Sequence, residues 1–377
     1  MIYLDNSATT KPCKTAVENI NTCLNDIWGN PSSLYSLGVE AEDVINSARS
    51  SVADTLNCRE DEIFFVSGGT EANNLCIMGA VEAKKRNGKK IVTTSVEHPS
   101  VLNTVKHLES LGYNVVTVKP ETDGSIDYKK FVSEIDDDTI LVSMMLVNNE
   151  TGCIFPVKQV SEYIKVNFPN IVIHCDAVQA FGKMPIDVGD LGVNLLSASG
   201  HKIHASKGIG FIYKSKKLNI KPIVFGGNQE SGLRSGTESV PLIAGLDGAI
   251  KELTVIDTLR KTTELYDYAV DVLNKTGLVR INSPKENHLP FVLNISVLGY
   301  RSETMLHYLE SKGIFVSSGS ACSKGKGSHV LNEMGLSLSV IDSALRISFS
   351  RYNDKSDIDA LAYELTEMSK KLRKSKI

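Results

Sequence analysis

Apolar residues along this chain fall into two alternating rhythms. Short continuous runs bounded by turn residues recur at 63–66, 91–96, 115–118, 140–147, 171–173, 193–196 and 209–213. Such runs predict buried strands, because a strand covered on both faces needs no polar side. Between them the apolar spacing shifts to three and four residues. It predicts helices over 14–24 and 39–56, from the turn at 67–70 through 78, then up to 111, and over 128–135 and 158–166. Strand–helix alternation of this kind predicts an α/β fold with a large, mostly parallel sheet covered by helices. From 240 to 274 the pattern is continuously helical and reads as one long helix joining two domains. The remainder reads as a smaller α+β unit, with strands at 290–297, 314–317 and 345–349 and helices at 303–312, around Met334, and from 356 onward. The expected division is a large domain over 13–255 and a small one over 256–377, with 1–12 packing near the latter. There are no internal repeats.

Parallel sheets bind ligands at the carboxyl ends of their strands. Thr70, His98, Asn149, Asp176 and Gln179 all fall just past predicted strand ends. Each has an ordinary reading alone: His98 as a cap before Pro99, Asp176 as an N-cap, Asn149 as a turn former. Together they predict one pocket. SGGTEANN (67–74) places a glycine turn between a strand and a helix start, where amide hydrogens and the helix terminus suit an anion. It matches neither the dinucleotide fingerprint nor the P-loop.

The stretch 195–213, LLSASGHKIHASKGIGFIY, holds Lys202 in a tight polar insert between two buried runs. Low-dielectric walls favour the neutral amine there, which is the nucleophilic form. Ser199 and His201 flank it with donors suited to a phosphate. A solvated surface lysine is the ordinary reading of an isolated S-G-H-K, and the other strand-end residues are what argue against it. Two further loops carry chemistry: GGNQESGLRSGTES (226–239) with Arg234 and Thr237, and SSGSACSKGKGSH (317–329) with Cys322. The second is too rich in glycine, serine and lysine to pack a core, so its thiol is expected to be exposed. Lys324 and Lys326 nearby favour the thiolate.

Composition narrows the classes. The chain has 377 residues, 42% hydrophobic and 23% charged, with a net charge of −3. That gives no reason to expect nucleic-acid binding, and no run is long and apolar enough to span a membrane. Seven cysteines without a C-x-x-C pair, and no recognisable leader, predict free thiols in a reducing cytoplasm. His201 and His204 lack further ligands, so no metal site is expected.

Taken together, YLDNSATT, GNPSSLYSLG, SGGTEANN, EHPSV, VNNETG, HCDAVQAFGKMPID, SASGHK, RSGT, SSGSACS and LRISFSR make the chain resemble the cysteine desulfurases of the NifS/IscS type. These are pyridoxal 5'-phosphate enzymes of the class-V aminotransferase group. The resemblance runs almost end to end and implies the aspartate-aminotransferase-like fold. It implies that Lys202 bonds the cofactor's aldehyde, that Asp176 pairs with its ring nitrogen, and that Gln179 bonds its phenolic oxygen with Asn149 close by. His98 would lie over the ring and move protons, while Gly69, Thr70, Ser199 and His201 would hold the phosphate. Thr237 would reach the phosphate of a neighbouring subunit, implying a homodimer. Arg346 would bind the α-carboxylate of L-cysteine, and Cys322 would take its sulfur as a persulfide, leaving L-alanine. The sulfur would pass to an acceptor protein, such as an iron–sulfur scaffold or a tRNA-thiolation enzyme. A selenocysteine lyase or an aminotransferase on the same fold is the alternative; either would use Lys202 and Asp176 without the same dependence on Cys322. The chain departs from better-known members in having IHAS after Lys202, where they carry tyrosine, glycine and proline, and in Leu146, where the enteric form has histidine.

Overall fold

The computed structural model describes residues 1–319 and 327–374. Its strands are β1 (Ile2–Tyr3), β2 (Ile63–Val66), β3 (Lys90–Thr94), β4 (Asn114–Val118), β5 (Thr139–Met145), β6 (Val172–Asp176), β7 (Leu195–Ser199), β8 (Gly210–Lys214), β9 (Val279–Ile281), β10 (Val292–Val297), β11 (Ile314–Phe315) and β12 (Ala344–Ser348). All seven apolar runs of the first half of the chain join one sheet, in the order β2-β8-β7-β6-β5-β3-β4. β8 alone runs opposite to the other six strands. The inner strand β5 is buried along its whole length, while the edge strand β4 is at least partly exposed at every position but its last. This is the difference expected between a strand covered on both faces and one at the rim.

Among the expected boundaries that move, two have a clear physical reason. The run at 171–173 continues as β6 through His174, Cys175 and Asp176. Pairing with β5 carries the backbone onward, and the polar His174 is accommodated by the hydroxyls of Ser143 and Ser197, each 2.9 Å from a ring nitrogen. Burial pushes its pKa down to about 3, so the ring is neutral in the core. The long helix expected over 240–274 is two helices, Val240–Lys251 and Val255–Lys275. Arg351 takes the Glu252 carbonyl at 2.6 Å and its carboxylate at 2.7 Å, and the Thr15 amide takes the same carboxylate at 3.2 Å. Those bonds divert Glu252 from the helical ladder, and Thr254 turns out of helical geometry at φ −117°, ψ 68°.

A second, antiparallel sheet has the order β12-β10-β9 and packs with Val255–Lys275 and Lys355–Lys371 around its own apolar cluster, which includes Leu4, Leu293 and Leu365. The first residues of the chain belong to this neighbourhood: β1 pairs with β11, and the Asn6 amide and the Ser7 N–H bond to Ser348. Among the described residues no helix is long and apolar enough to cross a membrane.

Candidate active site

A pocket of about 280 Å³ opens where the carboxyl ends of the parallel strands meet the N-terminal segment and β12. It is lined by Gly69, Thr70, His98, Asn149, Asp176, Gln179, Ser199, His201, Lys202 and Arg346, together with Ser7, Ala8 and Asn73. These side chains come from loops far apart in sequence, gathered by the sheet order rather than by proximity along the chain.

The turn between β2 and the helix Gly69–Lys84 is shaped by its glycines. Gly68 has φ +153°, and a Cβ on Gly69 would stand 2.9 Å from a Val178 methyl. The amide end of that helix is therefore open to the pocket, with Ser199 and His201 also on the lining. Burial, then the nearby Lys202 charge, pushes the His201 pKa down to about 4, so its ring is a neutral hydrogen-bonding group.

Asp176 ends β6, buried to 5% exposure. One carboxylate oxygen accepts the Val178 N–H at 2.9 Å and the other accepts the Asn73 amide at 2.7 Å. Each oxygen keeps capacity for a further donor. His98 both caps the helix Pro99–Ser110 and lines the pocket. Its Nδ1 accepts the Ser100 N–H at 3.2 Å, which leaves the neutral ring's proton on Nε2. Burial lowers the His98 pKa, with Lys202 and His329 adding to the effect and Asp176 opposing it.

Lys202 lies in the turn Gly200–Lys202 between β7 and β8. Its Nζ donates to the carbonyls of Ser7 at 2.6 Å and Ala8 at 2.7 Å. The N-terminal segment wraps this turn: the Thr10 N–H and hydroxyl both reach the His201 carbonyl at 2.9 Å, and the Cys13 N–H reaches the His204 carbonyl at 2.8 Å. His204 has a place in this wrap. It adopts φ +68°, bonds the Lys11 carbonyl through Nδ1 at 2.9 Å, and meets the Tyr352 ring edge-to-face. Among the described residues no group of three or more His, Cys, Asp or Glu stands close enough to hold a metal ion.

Arg346 is buried in β12 and lines the pocket. Its Nη2 pairs with Asp5 at 2.8 Å and its Nη1 donates to the Asn149 carbonyl at 3.1 Å, so an ion pair and pocket exposure coexist. Arg346 Nε, Asn149 Oδ1, Asn73 Oδ1 and Ser7 Oγ are buried without a hydrogen-bond partner. Four orphaned polar atoms around one cavity point to a polar ligand that completes them.

Two of the residues singled out from sequence stand apart. Thr237 lines a separate shallow cleft with Ser67, Gly208 and Arg234. Cys322 lies outside the described residues. The stretch leading to it begins beside the pocket, because the backbone of Ser317 pairs with that of Arg346. Sequence reading missed Asp5, the Ser7 and Ala8 carbonyls, Asn73 and Lys183. Asn73 had a usable signal, sitting one helical turn after Gly69 on the same helix face; backbone carbonyls carry none.

The aminotransferase class-V family model matches residues 2–361. A cysteine desulfurase IscS of Methanosarcina thermophila is 39% identical over 376 residues, covering 99% of this chain and 93% of the relative. A cysteine desulfurase of Nostoc sp. is 39% identical over 378 residues, covering 99% and 94%. Among solved structures, a NifS-like protein superposes with a TM-score of 0.93 at 34% identity, covering 98% of this chain and all of that one (100%). A second, described as SspA in complex with cysteine, has a TM-score of 0.84 at 31% identity over 94% of this chain and 100% of that one.

Proposed function

The chain belongs to the class-V aminotransferase family and, within it, to the cysteine desulfurases, and from that premise we propose how its residues take sulfur from L-cysteine. The observation that carries the reading is a single buried pocket bringing together an amine, a carboxylate, a neutral imidazole and a guanidinium, with unsatisfied polar atoms around it.

The pocket suits pyridoxal 5'-phosphate, on which this family generally depends. The amide end of Gly69–Lys84, Thr70, Ser199 and His201 fit a phosphate. Asp176, held by Asn73 and Val178, fits a protonated ring nitrogen; Gln179 and the orphaned Asn149 amide oxygen fit polar atoms at the ring edge. When bound, the cofactor supplies an aldehyde for the amine and a ring that withdraws electrons from the substrate carbon.

Lys202 is the covalent anchor and is oriented by the Ser7 and Ala8 carbonyls. Asp176 keeps its partner nitrogen protonated, an anion held in a buried site for that purpose. His98, neutral and with its proton on Nε2, delivers protons at the face it lines. Arg346 receives the α-carboxylate of L-cysteine through its unpartnered Nε while Asp5 and Asn149 hold the rest of the fork. The Cys322 thiolate attacks the sulfur of bound cysteine; the carbon–sulfur bond breaks, the electron pair stays with carbon, and after protonation alanine leaves. Support for Cys322 is the SSGSACS match and the start of that stretch beside Arg346. The resulting persulfide passes its sulfur to an acceptor protein, an iron–sulfur scaffold or a tRNA-thiolation enzyme.

The remaining expectations follow the same reading. A homodimer lets Thr237, remote from the pocket of its own chain, complete a neighbour's phosphate contacts. The division into 13–255 and 256–377, with 1–12 beside the latter, accords with the separate apolar cluster around β10 and β12. The described cysteines are free thiols, as a reducing cytoplasm would leave them.

The test compares wild type with Cys322→Ala in reducing buffer, measuring alanine and sulfide formed from L-cysteine. We expect both products from wild type. The variant should keep its cofactor colour and lose turnover by about a thousandfold or more, as removal of a nucleophile does. Continued alanine production by the variant would sink the assignment of Cys322.

A further inference from the structure

Behind Lys202 lies a second lysine that the mechanism above does not use. Lys183 is 5% exposed, and lysines are almost never fully buried unless paired. Among the described residues it has no carboxylate partner. Its Nζ donates to Gln179 Oε1 at 2.9 Å and lies 5.8 Å from the centre of the Phe291 ring. Gln179 Nε2 in turn donates to the Ser7 carbonyl at 3.0 Å, the same oxygen that accepts Lys202 Nζ at 2.6 Å. A chain of contacts therefore runs from Lys183 through Gln179 and Ser7 to the amine of the active-site lysine.

A carboxamide can present either end to a ligand. Here the choice is made by Lys183, an amine with donors and no competing acceptor role when protonated. With Oε1 occupied from behind, Gln179 turns its N–H edge toward Ser7 and the pocket it lines. We propose that Lys183 is a positioning residue for the cofactor. It fixes Gln179 as a hydrogen-bond donor to the phenolic oxygen, and its cationic form holds a positive potential behind Lys202 that favours a negative charge on that oxygen. This inference rests on the pyridoxal-phosphate reading of the pocket.

A purely structural role explains the burial poorly. An apolar side chain would fill the site without desolvating an amine, and burial, followed by the charges of Lys202 and Arg346, lowers the Lys183 pKa to about 7. Among the described residues, the titratable and charged groups acting on or lying beside Lys183 include Lys202, Arg346, His201, His204 and Arg351. Asp5 is committed to Arg346, and Glu252, which acts on His204, is paired with Arg351.

The experiment uses Lys183→Met and Lys183→Gln holoenzymes. The first readout is the pH midpoint of the bound cofactor's visible absorbance band. The second is pyridoxal 5'-phosphate affinity of the stripped protein, followed by fluorescence. Removing a cation beside Lys202 makes the nitrogen there easier to protonate, so both variants should move the midpoint upward by about 0.5 to 1 on the pH scale. Affinity should fall about five- to tenfold in Lys183→Met, and less in Lys183→Gln, which retains a donor. Adding Lys183→Met to Gln179→Ala should cost less affinity than Lys183→Met costs alone, because the part that acts through Gln179 is already lost. A wild-type chain that takes up no pyridoxal 5'-phosphate overturns the pocket reading and this inference with it. Wild-type colour with an unmoved midpoint in both variants overturns this inference alone.

Discussion

The pocket has two walls of different character. One is built from the carboxyl ends of the parallel strands and carries Thr70, His98, Asp176, Ser199 and Lys202. The other is built from the first residues of the chain and β12, and carries the Ser7 and Ala8 carbonyls and Arg346, which pairs with Asp5. On the sheet wall, burial drives the imidazoles to their neutral forms, and the Asp176 carboxylate accepts an amide N–H and the Asn73 side chain. On the other wall the cation cannot shed its proton, so it is matched by a carboxylate at 2.8 Å. On the function proposed above, the contrast would divide the labour: groups able to move protons would face the reacting centre, and the Arg346 side chain would meet the substrate's permanent charge.

Substitutions should separate the two walls kinetically. The largest effect is expected from Lys202→Ala, which removes the proposed covalent anchor; turnover of L-cysteine should fall at least about a thousandfold, and borohydride should no longer fix the cofactor to the protein. An undiminished, reducible band would put the anchor elsewhere. On the opposite wall Arg346→Lys keeps the charge and loses the planar fork. There KM for L-cysteine should rise roughly ten- to a hundredfold with kcat changing much less. A fall in kcat at unchanged KM would mean that the two walls do not divide the work in this way.

A third effect concerns the sheet wall alone and needs no cofactor. Glu97, next to His98, is fully buried and accepts the Thr94 hydroxyl at 2.8 Å and the Met145 N–H at 3.0 Å. Burial pushes its pKa up from 4.5 to about 8. The native state then keeps a proton that the unfolded chain releases above its ordinary glutamate pKa. This group's contribution to stability is therefore undiminished below that value and declines as the pH rises toward 8, by at most about 1.4 kcal/mol for each tenfold drop in proton concentration. Glu97→Gln should flatten the dependence of Tm on pH between about 5 and 8 in the stripped protein. Parallel wild-type and variant curves would mean that Glu97 titrates normally.

The order of amino acids was enough to reveal the sheet wall. Strand runs and the polar residues just past them are local signals, readable because burial on both faces leaves uninterrupted apolar segments and because ligands collect at strand carboxyl ends. The same local reading overran at 240–274, where helical periodicity continued but Arg351, remote in sequence, withdrew Glu252 from the ladder. It stopped early in β6, where the hydroxyls of Ser143 and Ser197 made a buried histidine tolerable. His204, unexplained by pattern, became intelligible once the N-terminal segment was seen wrapped over the lysine turn.

The opposite wall belongs to the fold. Asp5 and Arg346 are separated by 341 positions, and no periodicity of side chains relates them. The carbonyls that orient Lys202 have no residue-type signature at all, since every residue carries one. Lys183 looks in sequence like any other lysine, and only burial with an amide as its hydrogen-bond partner makes it unusual. Sequence pattern thus settled which elements form and which reactive groups stand at their ends, because those depend on neighbours along the chain. Tertiary packing decided which charges meet and which protons are lost, because electrostatics and desolvation act through space.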